Sequence, residues 1–272
     1  MGKKGREIVK MDIEELIETL NRVYADEWLS VYNYLLAAHL AIGINAPTIA
    51  SILRKNSAQE LGHANRIAER IIQLGGEPIE NISKLEATAN CRDFNMPGDR
   101  TDLDGILRAV LHTERCAIQV YQNLVDSTRA RDSVTHELAE ELLAIDQEDS
   151  LGLKELVLDQ LLRDDRNEEA LALTEEPQKD DGSLVLGLLM GRTLALYRLG
   201  QQEAAEAALA EVVAHNRHAL ELICAENPRP SMPHPDGQVD PGSRAEAWQY
   251  RTLMRDQWRT TPGALDWLAS HR

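Results

Sequence analysis

The sequence predicts an all-α fold, a four-helix bundle followed by a smaller helical-hairpin domain, on three observations. Aromatic residues are scarce, at 4% with a single Phe, while Ala, Leu, Glu and Arg abound, a composition that suits helices. Apolar residues recur at three-to-four spacing through four long segments before residue 165. Six of the ten prolines lie between 226 and 272, so the earlier segments are almost free of helix breakers.

The first helix carries Ile13, Leu16, Leu20, Val23, Val31, Tyr34 and Ala38 on one side. "GINAP" breaks it, and Pro47 suits the first turn of the next helix, where a missing N–H costs nothing. The second stripe reads Ile49, Leu53, Asn56, Glu60, His63, Ile67, Ile71 and Leu74, closed by the glycines of "LGG". Residues 77–100 read as an irregular crossover with turn signals in "GEP" and "MPGD". A third helix is expected from Thr101 or Asp102, with Leu103, Leu107, Val110, Glu114, Tyr121 and Val125 along one side. The fourth follows "STRARDS" and aligns Leu138, Leu142, Asp146, Asp149, Leu153 and Leu156. Two helix pairs joined by a longer crossover make a four-helix bundle.

Composition then shifts. The expected organisation is a basic N-terminal tail over 1–10, the bundle over 11–165, a charged linker over 166–182 and a helical domain over 183–272. Within the last, "ALYRLGQQEAAEAAL" looks like a tetratricopeptide unit, with Gly200 at the turn and Ala205 and Leu209 at packing positions. The segment 183–225 reads as one helical hairpin, with Trp248, Trp258 and Trp267 expected to pack against it.

Net charge is −16, with 18 basic and 29 acidic residues over 1–165 and 11 and 16 over 166–272. That excess argues against DNA as a partner, because duplex binding draws on a basic face. The basic start "MGKKGREIVK" reads as a solvated tail, with an anion contact as the alternative. No apolar leader follows it, and "LVLGLLMG" is too short to span a membrane, so a soluble, cytoplasmic protein without membrane contact is expected. Three cysteines do not make a secreted disulfide scaffold.

Each bundle helix interrupts its apolar stripe with metal-capable side chains. Helix one offers Glu27, helix two Glu60 and His63, helix three Glu114, and helix four Asp146 and Asp149. A buried unpaired carboxylate costs several kcal/mol, so converging acids need protons or cations between them. Taken singly, Glu60 and His63 also fit an ordinary turn-to-turn pair. Taken together, carboxylates and an imidazole suit iron or manganese.

Four stretches, "ADEWLSVYNY", "ELGHANRIAERIIQLGGEP", "HTERCAIQVYQNLV" and "ELAEELLAIDQED", resemble the ferritin-like superfamily in its bacterioferritin and Dps-like branch, over roughly residues 10–160. In that family two helices each give a Glu and two each give Glu-x-x-His to a di-iron centre. The resemblance implies Glu27, Glu60, His63 and Glu114 as ligands, with Glu60 bridging, and places Tyr34 beside the metals. Helix four departs from the pattern, offering Asp146 and Asp149 where Glu and His are expected. The second ion is then held with altered affinity, is another metal such as manganese, or is lost.

The resemblance implies a di-iron ferroxidase that oxidises Fe(II) with peroxide or dioxygen, limiting oxidative damage and storing iron in a homo-oligomeric shell. Haem is not expected, because haem-binding relatives carry Met where this chain has Leu61. Cys91 and Cys116 are placed like the cysteine pair of thioferritins, which implies a redox-active pair working with Tyr34; two unrelated buried thiols are the alternative. Cys224 reads as structural. A manganese catalase-type activity rests on the same residues. The competing function is a helical interaction module with a degenerate site, recruiting a protein partner through the C-terminal domain.

Overall fold

A computed structural model describes residues 9–175, 185–231 and 239–272. Among these, the chain is helical without strands. It divides into two compact units, one ending at Leu153 and the other beginning at Lys154. Residues 1–8 of the expected N-terminal tail and 176–182 of the charged linker lie outside the described residues, while the linker's first part forms a short helix, Asn167–Glu175.

In the first unit α1 spans Ile13–Leu40 and α2 spans Ala46–Leu74. A short α3, Leu85–Thr88, follows a single 3-10 turn at Ile82–Lys84 in the crossover. Then come α4, Leu103–Thr128, and α5, Ser133–Arg163, whose last residues belong to the second unit. Local chemistry sets the ends. Asp12 and Asp102 cap α1 and α4 by accepting from first-turn amides. Gly75 ends α2 at φ +86°, and Gly76 N donates back to Ile71 O over 3.0 Å. A side chain at Gly76 would strike Ile17 of α1, with Cγ2 2.6 Å from the added Cβ.

All four long helices meet in one core. Leu16, Leu20 and Val23 of α1 pack with Ile67, Ile71 and Leu74 of α2, Tyr121 and Leu124 of α4, and Ala139 and Leu142 of α5. Each large apolar side chain there contributes about 1.5–3 kcal/mol by leaving water. The crossover packs separately: Leu85 and Ala89 sit on Ala25 with Trp28 and Ile79 against them. Its helical turn was not legible in the sequence, where four residues carry no periodicity.

A buried ion pair ties α2 to the start of α5. Arg70 donates to Asp132 Oδ2 over 2.6 Å and to Thr135 Oγ1 over 2.8 Å. Both charged partners are 3% exposed. Arg70→Ala strands a buried carboxylate, so urea unfolding is expected to show a loss of about 3–5 kcal/mol.

In the second unit α6 is Asn167–Glu175, α7 Leu186–Arg198, α8 Gln202–His215, α9 Ala219–Cys224, α10 Arg244–Thr260 and α11 Ala264–Ser270. The hairpin of α7 and α8 turns at Gly200, φ +71°. Its second arm is not one helix through residue 225, as the periodicity predicts. It stops at His215 because the Asn216 backbone is extended and its side chain donates to Ser243 O and Glu246 Oε2. Trp267 packs on Tyr197 of the hairpin, and the fully buried Trp258 donates to the Tyr250 hydroxyl. Trp248 instead carries the Arg251 guanidinium on its face. Among the described residues no helix is long and apolar enough to cross a membrane.

Candidate metal centre

Glu27, Glu60, His63, Glu114 and Asp146 are each at most 3% exposed. They occupy the middle of α1, α2, α4 and α5, one helical register at which all four stripes turn polar. The apolar residues on either side of each stripe bury these polar groups with them.

Two overlapping sets of ligand atoms result. Glu27, Glu60 and His63 offer atoms within 4.8 Å of one another, and so do Glu60, Glu114 and Asp146. Glu60 belongs to both. His63 Nδ1 lies 3.1 Å from Glu60 Oε2, 3.4 Å from Glu27 Oε2 and 3.6 Å from Asp146 Oδ1. One set contains a nitrogen and the other is all carboxylate.

Burial sets the electrostatics. Desolvation is the main reason the Glu27 carboxyl is pushed up to about 7 and Glu60 to about 8. The neighbouring Glu27 charge raises Glu60 further. Glu114 and Asp146 are pushed well above the carboxylate range by burial and then by the surrounding acids. Four buried carboxyls this close cannot all ionise without cations.

The hydrogen bonding fits a metal. Glu27 Oε2, Glu60 Oε1, both ring nitrogens of His63, Glu114 Oε2 and Asp146 Oδ1 are buried with no hydrogen-bond partner among the described residues. Buried polar atoms ordinarily find partners, so four unmatched carboxylate oxygens around one imidazole call for a positive ligand. The second oxygens of the outer glutamates are engaged: Tyr121 donates to Glu27 Oε1 over 2.7 Å, and Tyr34 donates to Glu114 Oε1. The donor set, hard oxygens with one imidazole, suits Fe(II) or Mn(II).

The family model of the ferritin-like domain matches residues 17–161, which contain every one of these residues. The chain belongs to the ferritin-like domain family. It is 30% identical over 160 residues to the DNA protection during starvation protein of Pyrococcus furiosus, covering 58% of this chain and 86% of that relative. Its structure is similar to that of a dodecameric thioferritin, the bacterioferritin-related protein of Bacteroides fragilis. The TM-score is 0.56 at 29% identity, over 61% of this chain and 98% of the other.

In this ferritin-like centre, five of the six ligands expected from sequence come together. Asp149 stands outside both sets: its Oδ2 accepts from Gln59 Nε2 over 2.8 Å. It is half-buried, with its carboxyl raised to about 6 chiefly by desolvation. Tyr34 touches Glu114, as its place on α1 implies. Cys91 and Cys116 form a disulfide with Cα atoms 5.8 Å apart, joining the crossover to α4. Asp26, beside Glu27, secures that crossover by accepting from the Asn90 and Cys91 amides over 2.7 and 2.8 Å. Cys224 is a free, half-buried thiol.

Sequence reasoning missed Asp26, Gln59 and Tyr121. Asp26 carried no signal, since its partners lie about 65 residues away. Tyr121 was legible only as an apolar stripe residue, because a phenol serves a core equally well.

Proposed function

We propose that this bundle binds Fe(II) as substrate between its helices and oxidises it with peroxide or dioxygen, acting as an iron-detoxifying ferroxidase. The observation that carries the reading is Glu60, shared by both ligand sets and surrounded by buried oxygens that lack hydrogen-bond partners among the described residues. Family membership supports the same general kind of activity.

Glu27, Glu60 and His63 would hold one ion, and Glu60, Glu114 and Asp146 the other, with Glu60 bridging. Deprotonation of these carboxyls on binding supplies protons at the site where an oxidant needs them. With peroxide the reaction balances as two Fe(II) ions giving two electrons, while one H2O2 takes two protons and becomes two waters. Low-dielectric walls keep bulk water from competing for the ligands. Tyr34 and the cysteine pair serve as auxiliary donors: two thiols closing to the Cys91–Cys116 disulfide release two electrons and two protons, enough to reduce one further peroxide.

The reading includes a homo-oligomer, on the likeness to the dodecameric protein from Bacteroides fragilis. The Pyrococcus furiosus relative is named for DNA protection. With a net charge of −16, the protection proposed here is removal of Fe(II) and peroxide, without a counterion-releasing grip on the duplex.

The test is ferrous oxidation followed optically in the purified protein, once with peroxide and once with air. Turnover well above buffer with either oxidant supports the reading, and background rates with both sink it. Asp149 has its own check. If Gln59 keeps it away from the ions, Asp149→Ala retains both and changes their affinity less than about threefold; loss of one ion would make Asp149 a ligand. The all-carboxylate set is also a donor set for manganese, so Mn(II) is expected to compete better for that ion than for the one beside His63.

A further inference from the structure

Glu27 and Tyr34 lie seven residues apart on α1, and Glu114 and Tyr121 lie seven apart on α4. Seven residues are close to two helical turns, so each helix presents a Glu and a Tyr on the same face. The hydrogen bonds then cross between helices. The α1 tyrosine donates to the α4 glutamate, and the α4 tyrosine donates to the α1 glutamate. Both phenols are buried, at 1% and 0% exposed. In each pair Oε1 takes the phenol while Oε2 has no hydrogen-bond partner among the described residues.

We propose that Tyr121 is a positioning residue of the centre, the counterpart of Tyr34, and that the two phenols make Glu27 and Glu114 one-oxygen ligands. The inference rests on the metal-centre reading above. A free carboxylate can close on an ion with both oxygens. A phenol held against one oxygen removes that choice and aims the other at the ion. Because neither phenol reaches solvent, water cannot take its place. Tyr121 acts on the nitrogen-containing set through Glu27, and Tyr34 acts on the all-carboxylate set through Glu114. The two tyrosines therefore govern different ions.

Co(II) titration of the full chain tests this, with the bound ions counted and their visible spectra recorded. In the natural protein about two ions bind per chain. Tyr121→Phe should weaken one ion about 10–100-fold, the usual effect of removing a group that orients a ligand. It should alter the spectrum of the nitrogen-bound ion alone. Tyr34→Phe should do the same to the other ion. Equal weakening of both ions by Tyr121→Phe, or changes within about twofold for both, would overturn the proposal. If the natural protein binds no Co(II), the metal-centre reading fails and the proposal falls with it. A measurement that keeps both phenol hydroxyls in place covers a variant that does not fold. With fluorotyrosine at all six tyrosines, Zn(II) loading should move two 19F resonances, identified as Tyr34 and Tyr121 by substituting the other four in turn. Movement of only one of the two would contradict the paired arrangement.

Discussion

Glu60→Ala is expected to abolish binding of both ions and to bring ferrous oxidation down to background, with helicity nearly unchanged. The reason is geometric. Glu60 is the one residue common to both ligand sets, so its removal leaves Glu27 with His63 on one side and Glu114 with Asp146 on the other. His63→Ala removes a ligand from a single set and is expected to spare the all-carboxylate ion. Combining the two substitutions adds nothing to the loss of oxidation, because residues acting as one unit are not additive. The bundle should survive, since the core of Leu20, Ile67, Ile71, Leu124 and Leu142 lies on the same helices and stays intact. Circular dichroism checks the fold, and metal analysis after iron loading checks the site. Two ions retained in Glu60→Ala would remove it from the bridging position.

The second large effect is a reversal of pH dependence on metal loading. Glu27 is raised to about 7 and Glu60 to about 8 in the fold, from ordinary values near 4.5. Between about pH 4.5 and 8 the metal-free native state therefore holds more protons than the unfolded chain. Stability falls with pH wherever that is so. The metal-free protein should be most stable at the acid end of this window and lose stability as pH rises through 7 and 8. Cations replace those protons, so their affinity rises with pH. Their stabilisation, which follows the ratio of free ion to Kd, is largest at the alkaline end. Melting curves from pH 5 to 8.5, in chelator and in excess Mn(II), should diverge with pH. Glu155, raised to about 7 in the second unit, slopes the same way, so Glu60→Gln is the control. That variant should flatten the chelator curve. A chelator curve that rises from pH 5 to 8 would contradict the electrostatics described here.

Much of the bundle is legible in the sequence because its helices are long and their caps ordinary. Asp12, Pro47, Gly75 and Asp102 stand where helix ends require them. The five central candidate ligands are legible for a related reason: a charged residue on an apolar stripe contradicts the stripe, and four helices share the contradiction. Periodicity reports which face is buried, however, and not which partner it meets. Asp149 keeps the register of helix four, yet Gln59 takes its carboxylate, a pairing between residues 90 apart. Tyr121 satisfies the apolar pattern, which hides its hydroxyl's role. Only the repeated seven-residue Glu-to-Tyr spacing on α1 and α4 hints at it. In the second unit, helix propensity favours one helix through residue 225, and the tertiary hydrogen bonds of Asn216 override it.

The central claim is that four helices hold a pair of Fe(II) ions around Glu60 and pass their electrons to an oxidant. Anaerobic Fe(II) titration followed by a measured peroxide addition tests it most directly. About two Fe(II) should bind per chain, and about one peroxide should oxidise both. Fewer than about one bound iron per chain, with no oxidation above background, would contradict it.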